Sequence, residues 1–365
     1  MEIEAYINKK KEIYLSLLCF IEATDNVDIH FQSLIEVLNK QNVLQEKRKT
    51  QELLILISKI VTYHHLTPDL ISNFEMILKY IINNIKESIS TEEIFQIFRP
   101  NKRFLFLLFD KQILTPDERT IKIILKHSNS HFVCNRHYFF RAIKPFLSKE
   151  DVTKIEKEIP EKYDKDIQSF ENQCFEGTNE SYICSLIRQD LVEEFIKFVN
   201  RTNLSLLSTI KPSIYETDIF LMGKYLTLIE YAAFYGSIQI FQYLLLNQVK
   251  LTESLWTCAI HSNNAEMIHL LETNLKLKEN EYDDILKESI KCHHNDICDY
   301  IKDNLMEPTV ENRLKWKFDN CICESYNYYF YPNDISYIIE KPRNSKGFNI
   351  SNLIQKFTSL TIPSL

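Results

Sequence analysis

The chain contains very little glycine. Only four of its 365 residues are glycine, about 1% against an average of about 7%. Sheet-rich folds with tight hairpins, and enzymes that bind phosphate groups in glycine-rich loops, need more glycine than this. The composition therefore argues against a sheet-rich fold and against a nucleotide-binding loop.

Long apolar runs and targeting signals are also missing. The longest apolar runs, Leu53 to Ile57 and Phe104 to Phe109, fall far short of the roughly 18 residues that cross a membrane. The acidic start, Met1 to Glu4, is typical of neither a secretory nor a mitochondrial signal. The nine cysteines have no regular spacing, which favours reduced thiols. We therefore expect an intracellular, cytoplasmic protein without membrane insertion.

Motifs for catalysis and for cofactor binding are absent from the sequence. It contains no G-x-G-x-x-G, P-loop, G-x-S-x-G or H-E-x-x-H pattern. Cys321 and Cys323 form a C-x-C pair, which lacks the spacing of common structural zinc sites. The net charge of −7 argues against a general nucleic-acid binder, which tends to be basic. We expect no catalytic residue, no metal, no cofactor and no nucleic-acid partner.

The most informative segment, Thr227 to Leu246, is typical of two short antiparallel helices. Thr227 is suited to cap the first helix, and Gly236 supplies the positive φ that ends it. Ala232 and Ala233 are small enough to allow close packing of the second helix. Apolar residues then follow at helical spacing: Ile240, Phe241, Leu244 and Leu245. A unit this small cannot bury its own apolar face, so it needs neighbours.

The same pattern recurs twice downstream, first after 27 residues and then after 30. The small residue at the packing position is, in order, Ala232, Ala259 and Ser289. The turn position holds residue types that tolerate the left-handed backbone conformation, namely Gly236, Asn263 and His293. Agreement at both positions predicts helix pairs over residues 227–306, with a weaker unit at about 181–200.

This pattern resembles the ankyrin repeat, in which Thr-Pro-Leu-His-x-Ala-Ala precedes a glycine and an apolar second helix. The matching residues are Thr227, Ile229, Ala232, Ala233, Gly236, Ile240, Leu244 and Leu245. Leu228 and Glu230 depart from the family's Pro and His, and both periods are shorter than its usual length of about 33 residues. The whole chain also resembles divergent protist ankyrin proteins with a helical region before the repeats, through Tyr63-His-His and residues 93–102 and 228–237.

Residues 1–165 are predicted to form a helical N-terminal region. Helix-start signals stand at Thr67-Pro68, Ser90–Glu93, Thr115–Glu118 and Ser148–Asp151. A charged stretch over 158–172, broken by Pro160, indicates a boundary near residue 165. His64 and His65 lie near a helix end, where we expect half-exposed cap or surface residues.

Two further segments interrupt or follow the predicted repeats of 166–306. Residues 200–225 form an insertion between the weak unit and the clearest one. This insertion is either a binding finger on one face of the array or a segment packed against it. The tail over 307–365 is rich in aromatic residues, and we expect it to cap the open end of the last repeat.

The resemblance implies an all-α fold, an α-solenoid of ankyrin-like helix pairs with an N-terminal helical domain. It implies a non-catalytic protein–protein interaction scaffold that binds its partner through the groove lined by the first helix of each pair. The candidate partner-binding residues are Glu230, Phe234, Tyr235, Thr257, His261, Lys287 and Lys291. Phe234 and Tyr235 are the expected anchors, since aromatic residues dominate contact energies, unless the insertion buries them.

Three other functions stay open at this point. The chain is alternatively a substrate-recruiting or accessory subunit, which co-purification with an enzyme would favour. It is alternatively an enzyme with an unrecognised N-terminal pocket, which a deep pocket with converging titratable groups would favour. A purely structural linker leaves no mark in the residues.

Overall fold

A computed structural model describes residues 2–84, 89–126, 136–278 and 281–306. The tail at 307–365, expected to cap the last repeat, lies outside the described residues. Within the described part the fold is all-α, as predicted, with 18 α-helices and one two-stranded sheet. None of the helices in this part is long and apolar enough to pass through a membrane.

Ten helices precede residue 180 and form the N-terminal half. Their bounds are α1 (Glu2–Ile21), α2 (Val27–Lys40), α3 (Lys47–Tyr63), α4 (Leu70–Asn84), α5 (Thr91–Phe98), α6 (Lys102–Asp110), α7 (Glu118–Lys126), α8 (Phe140–Ile143), α9 (Lys149–Tyr163) and α10 (Ile167–Glu176). Short 3-10 turns lie at Val43–Gln45 and Lys144–Phe146.

Two predicted helix starts are confirmed, and in both the capping side chain stands directly before the helix. Ser90 and Glu93 form a complete capping box at α5, and the Ser148 hydroxyl accepts the Asp151 amide at α9. At α7 the predicted cap Thr115 is wrong. The Asp117 carboxylate accepts the Thr120 amide instead, because a later acceptor suits a helix that begins at Glu118.

Pro160 does not break the chain as the sequence suggested. It lies inside α9, which continues to Tyr163. Ile155 and Ile159 on the same helix are buried in the core, and this burial outweighs the backbone hydrogen bond that proline removes near a helix end. The break comes at Asp164, which has a positive φ of 52°.

The second half alternates short helices and tight turns. Its elements are α11 (Tyr182–Arg188), α12 (Val192–Thr202), β1 (Thr209–Ile210), β2 (Leu226–Thr227), α13 (Leu228–Tyr235), α14 (Ile238–Leu246), α15 (Ser254–Ser262), α16 (Ala265–Asn274), α17 (Tyr282–Lys291), α18 (Asn295–Tyr300) and a π-helical turn (Ile301–Leu305). Helices α11, α13, α15 and α17, which we call the first helices, pack side by side in chain order. Each first helix also packs against the helix that follows it.

One residue with positive φ makes the turn in each helix pair. These residues are Asp190 (51°), Gly236 (67°), Asn263 (48°) and His293 (60°). The left-handed turns predicted at the last three positions are therefore confirmed, and Asp190 places the weak unit in the same register. Four residues before each turn, a buried side chain lies on the first helix: Leu186, Ala232, Ala259 and Ser289.

A hydrogen bond to the preceding unit recurs directly after the turn. The Ser237 hydroxyl donates to the carbonyl oxygen of Ile187, and Nδ1 of His294 lies 2.7 Å from the carbonyl oxygen of Ile260. Both carbonyl groups stand three residues before the turn of the preceding unit. Neighbouring helix pairs are therefore joined by repeated polar contacts as well as by their shared apolar core.

The described residues build two hydrophobic cores. The first runs from Ile13 to Cys174, so that α10 packs with the N-terminal half. The second runs from Ile183 to Ile301. The insertion contributes to both, with Tyr215 in the first core and Leu221 in the second. Of the two alternatives for this segment, the structure shows the packed one.

Candidate partner-binding site

Six of the seven candidate residues, all but Tyr235, lie in two rows across the first helices α13, α15 and α17. The outer row stands six residues before each turn and consists of Glu230, Thr257 and Lys287. The inner row stands two residues before each turn and consists of Phe234, His261 and Lys291. Because four residues separate the rows, each outer residue lies one helical turn from an inner residue on the same face.

The N-terminal half and the insertion cover the inner row. Phe234 is 0% exposed, so burial, the alternative left open for it, is what the structure shows. His261 is 2% exposed, so its expected position on an open groove is wrong. The imidazole of His65 stacks on Phe234 with ring centroids 4.5 Å apart. Phe220 of the insertion also stacks on Phe234, at 5.5 Å. Tyr235 is half-buried and meets the His65 ring edge at 5.8 Å.

His261 and Lys291 are held by a carboxylate between them. Nε2 of His261 lies 2.9 Å from Glu288, and Nζ of Lys291 donates to both Glu288 oxygens at 3.0 and 3.1 Å. Burial raises the pKa of Glu288, but the hydrogen bond from His261 and the charge of Lys291 outweigh it and hold this pKa at about 2. The inner row is thus engaged internally.

The same place contains the one group of possible metal-binding side chains found among the described residues. The donor atoms of His261, Glu288 and Cys292 lie within 4.8 Å of one another. Burial raises the pKa of the Cys292 thiol, which disfavours the thiolate that metals bind. Because Glu288 is already paired with Lys291, we interpret the group as an internal ion pair and assign no metal to it.

The outer row is open by comparison. Lys287 is exposed, and Glu230 and Thr257 are half-buried. Glu230 also has a role that our sequence analysis missed. Its carboxylate accepts the Thr227 amide while the Thr227 hydroxyl accepts the Glu230 amide, a capping box that starts α13. The spacing T-x-x-E marks this box in the sequence.

We call the contact of the N-terminal half with the first helices and with the turn between α17 and α18 the seam. Its members are Tyr14, Tyr63, His64 and His65 on one side and Phe234, Tyr235, His261, Lys291, His293, His294 and Asn295 on the other. His64 is 3% exposed and meets the His294 ring edge at 5.1 Å. The expected half-exposed position of His64 is therefore wrong, because its imidazole packs against another part of the chain.

A cavity of about 60 Å³ adjoins the seam. It is lined by His65 and Arg103 of the N-terminal half, Glu216 and Asp218 of the insertion, and Tyr235 of α13. Both ring nitrogens of His65, Nε of Arg103 and Oε2 of Glu216 have no hydrogen-bond partner in the protein. Burial and the neighbouring Glu216 raise the pKa of Asp218 to about 7. The volume suits a few water molecules rather than an organic substrate.

Lys102 ties the insertion to the N-terminal half, and no sequence signal marks it. Its side chain is buried, and Nζ donates to the carbonyl oxygens of Ile214 and Glu216. Nζ also lies 4.0 Å from the ring centroid of Tyr138. Burial lowers the pKa of Lys102 to about 8, against the raising effect of Cys174 and Glu216.

No family model, no curated protein and no solved structure matches the chain. The resemblance to ankyrin repeats therefore rests on this chain's own residues and on their positions. The small packing residues and the left-handed turn residues of the helix pairs give this resemblance its strongest support.

Proposed function

We propose that this chain is a non-catalytic protein–protein interaction scaffold built on an ankyrin-like α-solenoid. The observation that carries the proposal is the common register of four helix pairs, each with a left-handed turn and a buried residue four positions earlier. In ankyrin arrays the first helices and the adjacent loops line the partner-binding groove. The matching surface here is the face of α13, α15 and α17.

Within that face the outer row is the part we assign to a partner. In the inner row Phe234 and His261 are buried beneath the N-terminal half and the insertion, whereas Lys287 is exposed and Thr257 half-buried. The Lys287 ammonium pairs with Asp284 at 3.0 Å in an exposed position, where such a pair contributes little and is easily exchanged. Glu230 is bound to Thr227 and also accepts the Ser254 hydroxyl. Thr257 and Lys287 are therefore the residues we expect a partner to contact.

The experiment compares the proteins that the tagged full chain captures from native lysate. The test variant carries Thr257→Arg and Lys287→Glu. The control carries the same two changes on the exposed side of α12, Thr202→Arg and Lys197→Glu. We expect the wild type and the control to capture the same specific partner and the test variant to lose it, with all three melting alike.

Recovery of the same partner with the test variant would contradict the assignment of the outer row. A partner with catalytic activity would place the chain as an accessory or substrate-recruiting subunit, which is the alternative function. Imaging of the tagged chain in its native cells checks the expected cytoplasmic location.

A further inference from the structure

The seam is unusually rich in histidine. Five of the chain's ten histidines meet there: His64, His65, His261, His293 and His294. His293 and His294 are 3% exposed, and the His65 side chain is 12% exposed. Neither ring nitrogen of His65 or His293 has a hydrogen-bond partner within the protein. The imidazoles of His65 and His293 are thus held in the closed seam without the hydrogen-bond partners that a charged form needs.

We propose that the seam is an acid-sensitive latch, in which protonation of His65, His293 and His294 separates the N-terminal half from the first helices. Opening removes the His65 ring from Phe234 and the Tyr63 ring from His261 and Lys291. The inference concerns the chain by itself and does not depend on the partner proposed above.

The neighbours of the three histidines explain why a proton is not accepted in the closed form. A carboxylate oxygen of Asp218 lies 3.7 Å from Nδ1 of His65, beyond hydrogen-bonding distance, while Arg103, His64 and His261 supply positive or ionisable neighbours. Burial, followed by the neighbouring His261 and His64, lowers the pKa of His65 to about 3. Burial, together with His64 and Lys59, also lowers the pKa of His293 to about 3.

His294 is placed in the same way on the other side of the seam. Its Nδ1 contacts the Ile260 carbonyl oxygen at 2.7 Å, which stabilises a protonated Nδ1 without requiring a charge. Burial, followed by the nearby His64, lowers the pKa of His294 well below its usual range. All three pKa values are depressed in the closed state relative to about 6.5 for a solvated imidazole.

The sign of the pH effect follows from these depressed values. Above a pH of about 6.5 the three rings are neutral in both the closed and the open state, so protonation does not favour opening. Below that pH the three histidines are protonated in the open state but stay neutral in the closed state, so the equilibrium shifts towards opening. Each histidine contributes about tenfold per pH unit once the pH is well below its open-state pKa.

Other charged groups at the seam modify this effect. Glu22 lies 3.0 Å from His64 and Glu288 lies 2.9 Å from His261, so these two rings have an anionic partner in the closed state and are left out of the latch. Burial raises the pKa values of Asp218 and Glu216, so these carboxyl groups hold protons better when closed. These two carboxyl groups oppose opening on acidification, whereas the three histidines favour it.

The test uses the full chain, with small-angle scattering for its dimensions and circular dichroism for its helices. We expect the radius of gyration to rise between pH 7.5 and 5 while the helix signal persists. The latch variant combines His65→Phe, His293→Asn and His294→Gln, which keep the stacked ring, a residue suited to positive φ, and the donor to Ile260. This variant should stay closed through the same range.

Two further variants sharpen the test. His269→Gln, which removes an outlying imidazole that is 74% exposed, should open as the wild type does. Asp218→Asn removes an opposing carboxyl group and should open at a higher pH. If the triple variant does not fold, each single histidine variant should lower the number of protons taken up on opening by about one.

Several results would overturn the latch. A wild type with unchanged dimensions and intact helices down to pH 5 would do so. Expansion accompanied by loss of helix signal would also do so, because that is global acid unfolding. The third such result is a triple variant, or a full set of single variants, that opens with the wild-type midpoint and slope.

Discussion

The imidazole of His65 lies stacked on the ring of Phe234, with their centroids 4.5 Å apart and their planes inclined by 16°. His65 follows helix α3 of the N-terminal half, whereas Phe234 lies on α13 among the first helices. The contact therefore joins two parts of the chain between which the sequence indicated a boundary. It divides the candidate binding face into an inner row that the chain covers itself and an outer row that is open.

Truncating Phe234, which the sequence suggested as a partner anchor, should damage the fold. Phe234→Ala should lower the free energy of unfolding by about 3–5 kcal/mol, because it empties a fully buried aromatic site. Urea unfolding measures the change. The matched outer-row variant Thr257→Ala should stay within about 0.5 kcal/mol of the wild type. Similar values for the two variants would show that the inner row is not covered.

Ala232 should tolerate no large side chain. It is 0% exposed on α13, which packs against α11, α14 and α15. Ala232→Glu should therefore cost several kcal/mol, because it buries a charge in a site without spare volume. Thermal unfolding is the readout, and Gln242→Glu on the exposed side of α14 is the control. A melting temperature unchanged by Ala232→Glu would contradict the packing of the helix pairs.

At position 263, glycine should destabilise the fold less than alanine does. The φ of Asn263, 48°, is left-handed, which costs a residue with a Cβ about 1–2 kcal/mol. Asn263→Gly should therefore be more stable than Asn263→Ala. The order should reverse at Thr257 inside α15, where glycine costs about 1 kcal/mol relative to alanine. Chemical denaturation of the four variants checks this crossover, and the same order at both sites would refute the turn assignment.

Lys102 should make the free energy of unfolding increase with pH in the alkaline range. Its pKa is lowered to about 8 in the folded chain, against about 10.4 when unfolded. Between these values the unfolded chain binds the extra proton, so the free energy of unfolding should increase with pH. Lys102→Met should lack that increase. The difference between the two chains, measured by urea unfolding at pH 7.5 and 9.5, isolates the lysine, and parallel pH profiles would contradict its burial.

Local features of the fold were accessible from the sequence because they depend on neighbouring residues. Gly236, Asn263 and His293 are residue types that tolerate left-handed turns, and all three have positive φ. The Ser90 and Ser148 caps are also local, because each is a hydrogen bond to a residue three positions along the chain. Glu230 carried an equally local signal, the T-x-x-E spacing, but we interpreted it only as a groove residue.

The seam was not accessible, because periodicity does not say which distant surfaces meet. The His64-His65 pair follows a helix end, which by itself favours an exposed cap. Only the approach of α13 and of the turn before α18 covers these rings. Lys102 is similar, since its carbonyl partners Ile214 and Glu216 lie in the insertion. A lysine ahead of an apolar run gives no hint of such partners.

The most direct test of the covered inner row is a double-mutant cycle between His65 and Phe234. The free energies of unfolding of the wild type, His65→Ala, Phe234→Ala and the double variant are measured at pH 7.5, where burial keeps His65 neutral. If the two rings stack, the cycle should give a favourable coupling of about 0.5–1.5 kcal/mol. Additive effects, with no coupling, would mean that the N-terminal half does not rest on the first helices.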